Sequence, residues 1–370
     1  MSIRLGRLFG IPLDMDISWL IILGLFTYTI AAGYFRTFYP NIDPATGWAL
    51  ALVTALLFFA TLIGHELAHC YFARKSGIEI AGITLFIFGG VAKLTAEPAR
   101  PTEELKMAAA GPAFSILAAF AALGIAWLAP AGGAFRAVFG YIALANFFVS
   151  AFNLLPGFPM DGGRILRALI WLWTRNLTKA TRAASAVGQG LAWTMIGFGL
   201  FSIVLWGTLS GLWFVLIGWF LNNAAQNSYQ QLLIRKSLEG LGVGEMLTPG
   251  VEVVDPAISI DELVSEHFLK SRREAYPVRN GAGTSRIVTP ADVRAIPRDA
   301  WDRTTVGDIA RPIPDELSLN ANEDAWQAVQ KLHENGAKNH LLVIDGGQVL
   351  GLLTREDIQR QIRSRMQLQT

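Results

Sequence analysis

Two histidines and a glutamate form the pattern His-Glu-x-x-His within the stretch TLIGHELAHCYFARKSG, as His65, Glu66 and His69. On an α-helix this four-residue spacing places both imidazoles on one face, where their nitrogens can hold a single zinc ion. Glu66 lies beside them and is suited to take a proton from water at that metal. The alternative is a polar patch that only packs against other helices. It is disfavoured because ionisable groups deep within an apolar run are costly.

A third ligand is needed, because a catalytic zinc usually has three protein ligands and one open position. The remaining histidines, His267, His333 and His340, all lie in the last third of the chain. The candidate is therefore Asp161, within FNLLPGFPMDGGR, where prolines break the helix and glycines allow close backbone approach. Irregular backbone at membrane depth is tolerated where it lines a cavity. The alternative is a loop at the membrane surface with Asp161 in water.

The part of the chain that must position these residues is unusually apolar. The 370 residues are 52% hydrophobic and only 16% charged, against about 25% charged in an average soluble domain. Charged residues number 26 in the first 240 positions and 34 in the last 130, with net charges of +6 and −4. The high hydrophobic and low charged fractions exclude a disordered chain, a fibrous repeat and an ordinary single soluble domain. The uneven distribution of charge predicts a membrane-embedded part followed by a soluble, acidic module.

Two further counts exclude other kinds of site. The single cysteine excludes a disulfide framework and a cysteine-based zinc site. That residue, Cys70, follows His69 directly and so points away from it on the helix, which favours a small buried hydrophobe. The net charge of +2 gives no support for nucleic-acid binding.

Six segments are apolar over the length that crosses a bilayer, so about six transmembrane helices are predicted. They are Ile17–Tyr34, Trp48–Ala73, Leu105–Leu128, Ala137–Leu155, Ala184–Trp206 and Leu209–Ala225. Fourteen basic residues flank these spans on the side of both termini, and only Arg36 and Arg136 flank them on the other. The excess of positive charge predicts that both termini are cytoplasmic, in a multi-pass protein of the cell membrane. His65 would then lie about 15 Å along its helix from the cytoplasmic end at Lys75.

One apolar stretch between the spans does not have a helical pattern. Ile78–Leu94 is rich in β-branched and aromatic residues around two glycines, which predicts strands with a glycine break. A shorter apolar stretch within Ser2–Asp14 is a candidate to pair with it. We expect this β element at the cytoplasmic interface. It either offers a strand edge to an unwound substrate or only packs beneath the helices.

The last part of the chain contains an imperfect internal repeat. Each copy has the pattern of a strand, a helix, two strands and the start of a second helix. The predicted organisation is a transmembrane domain at 1–225, a linker at 226–240 and a cytoplasmic α/β domain at 241–370. The short linker would place this domain directly beneath the helices.

The combination of HELAH and FNLLPGFPMDGGR resembles the site-2 protease family of intramembrane zinc metalloproteases. GPAFS at Gly111–Ser115 and FGGVAKL at Phe88–Leu94 match further patterns of that family. The resemblance covers roughly residues 1–225. It implies regulated intramembrane proteolysis, in which a single-pass membrane protein is cut within or near the bilayer. We assign no chemistry to GPAFS, whose small residues allow helices to approach closely.

The resemblance also implies roles for individual residues. One zinc ion per chain would be bound by His65, His69 and Asp161, with Glu66 as the general base. Asn153, eight residues before Asp161, would hydrogen-bond the substrate backbone or the oxyanion. The sequence alone leaves another interpretation of Asn153, as a polar residue that caps a helix end.

The repeat in the tail resembles a pair of CBS domains. In that pattern a Thr or Ser and an Asp at the start of the last helix hold a ribose, here Thr354 and Asp357 in GLLTRED. The first copy has Thr289 and Asp292, but Arg286 and Ile287 stand in place of its glycine. The resemblance implies ATP or AMP as ligand, since free N–H groups at a helix start suit phosphates. The alternative is a structural module or one that forms a homodimer.

A protein of another class also combines membrane helices with CBS domains, namely a CBS-regulated channel or transporter. Such a protein has no need of a glutamate beside two zinc-spaced histidines. The metal constellation therefore favours a protease over the transporter.

Overall fold

The computed structural model describes residues 2–86, 89–249, 252–270, 275–280, 283–314, 317–334, 340–346 and 348–368. The contacts within it divide the chain into two units, Met1–Leu232 and Leu233–Thr370. The predicted domain boundaries stay a prediction. Most of the predicted linker is helical, because the helix Gly211–Leu238 runs through it.

The first unit is predominantly helical. Its helices are α1 (Ser18–Thr29), α2 (Arg36–Phe38), α3 (Pro44–Lys75), α4 (Pro101–Leu128), α5 (Ala134–Asn153), α6 (Asp161–Thr174), α7 (Leu177–Trp206) and the larger part of α8 (Gly211–Leu238). A π-helical segment, Ile30–Phe35, connects α1 to α2, so that one helix runs over Ser18–Phe38.

Among the described residues, five helices are long and apolar enough to cross a membrane. They are Ser18–Phe38, α3, α4, α5 and α7, which contain most of the first five predicted spans. The sixth predicted span, Leu209–Ala225, falls at the start of α8, which is not among the five. Its apolar run ends at Leu221 because Asn222 and Asn223 follow. The prediction missed α6, a short helix that begins at Asp161.

The two helices that frame the site have clear starting signals. The side chain of Asp43 accepts a hydrogen bond from the Thr46 N–H at 3.1 Å, and Pro44 occupies the first position of α3. Helix α4 begins with Pro101 and carries two glutamates in its first turn. It packs against α3, α5 and α6, which makes it the central helix of the unit.

A four-stranded sheet accompanies the helices. Its strands, in the order of the sheet, are β1 (Ser2–Leu8), β2 (Ile11–Asp16), β3 (Ile80–Phe86) and β4 (Gly89–Leu94). Two antiparallel hairpins are joined by parallel pairing of β2 with β3, which confirms the predicted pairing of the two stretches. Ile83 of β3 packs with Cys70 of α3, so the sheet is fixed against the histidine-bearing helix.

The second unit is an α/β unit with two sheets. Its elements are β5 (Thr248–Pro249), α9 (Ile260–Glu262), β6 (Tyr276–Asn280), β7 (Gly283–Val288), α10 (Pro290–Arg294), α11 (Val306–Ile309), β8 (Arg311–Pro312), β9 (Ser318–Asn320), α12 (Ala325–Glu334), β10 (His340–Asp345), β11 (Gln348–Thr354) and α13 (Arg355–Leu368). The sheet orders are β5-β11-β10-β9 and β6-β7-β8.

The two copies of the repeat differ in completeness. The second copy has the predicted order, from β9 through α12, β10 and β11 to α13. In the first copy, the described part of the opening strand is reduced to a single bridge between Val254 and Val278. Pro256 follows shortly and cannot donate to a ladder, which limits a longer strand there.

Candidate metal centre

Three ligand atoms converge where α3 meets the start of α6. The Nε2 atoms of His65 and His69 are 3.1 Å apart, and Oδ2 of Asp161 lies 3.2 Å from each of them. Both histidines are buried, and the Asp161 side chain is 15% exposed. The structure thus brings Asp161 to the two histidines from 92 residues farther along the chain.

The hydrogen bond to His69 fixes which of its nitrogens carries the proton. Its Nδ1 lies 2.7 Å from the main-chain oxygen of Met107. A carbonyl oxygen can only accept, so Nδ1 donates and a neutral imidazole presents a lone pair at Nε2. His65 Nδ1 lies 2.9 Å from Oγ of Ser115, which can accept in the same way. Both imidazoles are therefore oriented through their outer nitrogens, as is common for metal-binding histidines.

This donor set fits a zinc ion. When Nδ1 of His65 carries a proton, as Nδ1 of His69 does, two nitrogen lone pairs and a carboxylate oxygen face one another within 3.2 Å. Such an arrangement is repulsive unless a cation occupies the centre. Two imidazole nitrogens and one carboxylate oxygen form a common ligand set of catalytic zinc, and they leave one position open.

Helix α4 approaches the two imidazoles most closely at Gly111. A Cβ atom at Gly111 would lie 2.2 Å from Nε2 of His69 and 2.5 Å from Nε2 of His65. Any other residue at 111 would therefore intrude on the ligand atoms. Met107, Gly111 and Ser115 follow one another at four-residue intervals, so a single face of α4 lies against the histidines.

The segment before α6 is folded back tightly to present Asp161. A Cβ at Gly163 would lie 2.3 Å from the main chain of both Gly157 and Phe158, and one at Gly188 of α7 would lie 2.3 Å from the Phe158 carbonyl oxygen. These close approaches explain why the segment is rich in glycine. They fix the first turn of α6, where Asp161 is located.

The ligands face a cavity of about 860 Å³. Glu66 and Asn153 line it together with His65, His69 and Asp161, and Arg164 contributes a cationic side chain. Residues of β4 form another wall, in which Gly90 lies so close to Glu66 that a Cβ there would be 2.9 Å from its Cγ. The cavity thus combines the three candidate ligands, the Glu66 carboxylate and a strand.

The structure therefore brings together five residues singled out in the sequence: His65, Glu66, His69, Asn153 and Asp161. Asn153 is the last residue of α5, and the cap position of that helix is Leu154. Cys70 is fully buried against Ile11 and Ile83, in agreement with its interpretation as a small hydrophobe.

Sequence reasoning missed the residues of α4 that orient the ligands. The sequence alone assigns no chemistry to GPAFS, yet Ser115 contacts the imidazole of His65 and Gly111 lies beside both imidazoles. The signal that could have found them is the four-residue spacing of Met107, Gly111 and Ser115 within a small-residue helix. Phe88, at the start of the predicted FGGVAKL pattern, lies outside the described residues.

The predicted ribose residues of the second unit already bond to each other. Oδ2 of Asp357 accepts from the N–H and the hydroxyl of Thr354 at 3.0 and 2.6 Å, at the start of α13. Thr289 and Asp292 form the same arrangement at 2.8 and 2.6 Å. In this first copy, Nε of Arg311 also lies 3.1 Å from Oδ1 of Asp292.

A third pair shows that this arrangement is not specific to a ribose site. Thr305 and Asp308 have the same two hydrogen bonds at the start of α11. These bonds hold the pKa of the Asp308 carboxyl below its usual value. Each pair is a capping box that stabilises a helix start. In the first copy, Arg286 stands in place of the glycine of the CBS pattern. Its guanidinium donates to the carbonyl oxygens of Gly307 and Ala310.

Comparison with protein families supports two assignments. The model of Peptidase family M50 matches residues 53–131 and 128–197, and the CBS domain model matches residues 306–364. The second unit thus contains a CBS domain.

Known proteins of similar length match nearly the whole chain. A Synechocystis sp. protein named as a zinc metalloprotease is 32% identical over 359 residues, which cover 96% of this chain and 94% of that protein. A Mycobacterium tuberculosis protein named in the same way is 31% identical, over 98% of this chain and 93% of that protein.

The solved site-2 protease from Methanocaldococcus jannaschii is 29% identical and covers 62% of this chain and 95% of that one, with a TM-score of 0.44.

Proposed function

This chain belongs to Peptidase family M50, and from that premise we propose that it is an intramembrane zinc endopeptidase. Its substrate is a single-pass membrane protein, cut within or near the bilayer. The observation that carries the proposal is the convergence of His65, His69 and Asp161 on one point of a cavity that Glu66 also lines. The resemblance seen in the sequence is confirmed at the level of the family. The alternative class, a CBS-regulated channel or transporter, is set aside.

The three ligands are assigned to one zinc ion per chain. Bound there, zinc would supply a Lewis acid for the scissile carbonyl and lower the pKa of the attacking water. The chain's own contribution to binding is the orientation of the imidazoles by Met107 and Ser115. Because Gly111 has no side chain, the space beside the two Nε2 atoms stays open.

Glu66 is the proposed general base. It is adjacent to His65 on α3 and faces the same cavity. Its carboxylate accepts a proton from the attacking water and then donates it to the nitrogen of the leaving amine, as general acid–base catalysis requires. Burial of the site keeps bulk water from competing for these groups.

Asn153 is the proposed substrate-binding residue. Its position at the end of α5 places it on the cavity wall with Glu66 and Asp161. A side-chain amide can donate to the substrate backbone or to the oxyanion that develops on the scissile carbonyl. The cap position of α5 belongs to Leu154, which weakens the alternative of a capping role for Asn153.

Strand β4 is a suitable surface for the unwound substrate. A transmembrane helix hides its carbonyls in its own hydrogen bonds, so it must unwind before it can be cut. In the described part of the first sheet, β4 pairs with β3 on one side and is the last strand. Because β4 also lines the cavity, strand addition would bring an extended segment beside Glu66. This supports the substrate-edge role over a hairpin that only packs beneath the helices.

The five apolar helices support a multi-pass membrane protein. We place it in the cell membrane with both termini in the cytoplasm, from the fourteen basic flanking residues on that side. This placement requires an even number of crossings, so the apolar start of α8 is the proposed sixth span. The lipid bilayer is therefore the immediate surrounding of the first unit.

The CBS domain is the proposed regulatory part. We assign an ATP or AMP site to Thr354 and Asp357, since the second copy keeps the glycine of the pattern at Gly351, where the first copy has Arg286 and Ile287. Homodimer formation through this unit is the alternative role. The ligand changes the rate of cleavage only if it binds one arrangement of the protein better than another.

Metal analysis separates the peptidase from the transporter class. Full-length protein purified in detergent is expected to contain about one zinc per chain, and His65→Ala is expected to lose it. Absence of zinc from the wild type, after purification without chelators, would contradict the proposal.

A further inference from the structure

An ion pair lies buried between α4 and α6, outside the catalytic cavity. Nε of Arg167 donates to Oε1 of Glu104 at 2.6 Å, and Nη2 contacts the same oxygen. Glu104 is 0% exposed and Arg167 is 4% exposed. Neither residue has a part in the proposed reaction.

Arg167 contacts two more segments of the same region. Its guanidinium carbon lies 5.1 Å from the centre of the Phe158 ring, in the segment that leads into Asp161. Its Nη1 lies 3.6 Å from Oε2 of Glu97, which precedes α4. The Arg167 side chain, which lies on α6, thus contacts the segment before Asp161 and the start of α4.

The pair is close in sequence to both groups that set the ligand positions. Glu104 is three residues before Met107, whose carbonyl orients His69. Arg167 is six residues after Asp161, less than two turns along α6. The ion pair therefore joins the helix that orients the imidazole to the helix that carries the carboxylate.

Stability alone does not explain a pair in this environment. The desolvation of two buried charges offsets much of their attraction, and well-packed apolar replacements of both partners are often neutral or stabilising. What an arginine offers instead is geometry, because its planar fork fixes the orientation of a carboxylate partner. Here Nε and Nη2 both contact Oε1 of Glu104, so the guanidinium edge fixes one carboxylate oxygen, while Oε2 is buried without a hydrogen-bond partner among the described residues.

We propose that Glu104 and Arg167 are positioning residues, whose ion pair holds Asp161 at ligand distance from His65 and His69. The pair acts through the placement of α6 on α4 and touches neither metal nor substrate. This inference rests on the proposed function, since it concerns the affinity of the zinc site.

The test replaces both partners together. Glu104→Leu combined with Arg167→Met leaves no buried charge unpaired, and Lys106→Met, exposed on α4, is the control for loss of a charge. Three properties of the full-length protein in detergent are measured. They are the thermal unfolding of the metal-free form, the zinc dissociation constant by chelator competition, and the visible spectrum after loading with Co²⁺.

The double variant is expected to unfold at or above the wild-type temperature in the metal-free form. Its zinc affinity should fall by roughly 10- to 100-fold, the range typical of lost outer-shell partners. Its Co²⁺ spectrum should change, because the position of the Asp161 carboxylate relative to the imidazoles is altered. Lys106→Met should match the wild type in all three measurements.

A double variant that folds with wild-type zinc affinity and an unchanged Co²⁺ spectrum would overturn the inference and leave the pair a structural one. If that variant fails to fold, Arg167→Lys takes its place, since it keeps the charge and loses the fork. Unchanged affinity and spectrum in Arg167→Lys would then overturn the inference. A wild-type protein without zinc would contradict the proposed function itself. That result differs from unchanged zinc affinity in a variant, which would contradict only the role of the ion pair.

Discussion

The Nδ1 atom of His69 lies 2.7 Å from the main-chain oxygen of Met107. This contact between α3 and α4 determines the proton position of a metal ligand, because a carbonyl oxygen accepts only from a protonated nitrogen. A main-chain acceptor cannot be removed by a side-chain substitution. The orientation of His69 therefore depends on how closely α4 approaches α3, and that approach depends on Gly111.

Replacement of Gly111 tests this close approach. A Cβ at Gly111 would lie 2.2 Å from Nε2 of His69, so Gly111→Ala should displace α4 or the imidazole. We expect a loss of stability of about 1–3 kcal/mol from overpacking, together with roughly 10- to 100-fold weaker zinc binding. Zinc content and thermal unfolding of the purified protein are the measurements.

The same helix offers a matched control. A Cβ at Gly124 would have no atom within 4 Å, so Gly124→Ala should keep zinc and raise helix stability slightly. Equal zinc binding in Gly111→Ala and Gly124→Ala would show that α4 does not border the metal as described.

Substitution of Asp161 tests the third ligand. Asp161→Ala should lower zinc content and cleavage together, since the carboxylate oxygen 3.2 Å from both imidazole nitrogens is removed. Asp161→Asn should retain weaker binding, because a neutral amide replaces an anionic ligand. Zinc content by atomic emission, measured beside the cleavage rate, checks both. Full zinc occupancy with full activity in Asp161→Ala would remove the residue from the site.

The two CBS copies are expected to differ in nucleotide binding. Thr354→Ala with Asp357→Ala should weaken binding of ATP or AMP, since a hydroxyl and a carboxylate are lost. Thr289→Ala with Asp292→Ala should have a smaller effect, because Arg286 stands in the first copy where the second copy has Gly351. Calorimetry on the full-length protein with millimolar nucleotide measures both.

The control for this experiment is the third capping box. Thr305→Ala with Asp308→Ala removes the same two hydrogen bonds at a helix start, at a cost of about 1 kcal/mol, outside the predicted ribose sites. Nucleotide binding should therefore persist in it. The absence of any heat of binding to the wild type would assign the unit to a structural or dimer-forming role.

The parts of the site that were predictable are those set by local spacing. His65 and His69 share a face because the helical period places residues four apart side by side. The two stretches that form the sheet were recognisable because β-branched and aromatic residues with paired glycines favour strands. The motif around Asp161 pointed to a ligand, although spacing alone left a solvated loop as an alternative.

The remaining parts arise from packing between distant segments. Ser115 contacts His65 although 50 residues separate them in the sequence, and Glu104 contacts Arg167 although 63 do. Patterns of local residue spacing cannot predict contacts between segments so far apart in the chain. The engagement of Asp292 by Arg311 likewise depends on the pairing of β7 with β8. The sixth predicted span, Leu209–Ala225, stays a prediction: it coincides with the apolar start of α8, and the polar residues that follow continue the same helix.

The central claim is zinc-dependent proteolysis with Glu66 as the base, and a comparison of wild type with Glu66→Gln tests it most directly. Membrane-protein fragments are quantified in cells that express each form at equal level, and the zinc content of each purified protein is determined. We expect Glu66→Gln to keep about one zinc per chain, since both imidazoles and Asp161 are intact, and to lose the fragments that the wild type produces, because no group remains to accept the proton. The same fragments at a rate close to wild type in Glu66→Gln would contradict the account.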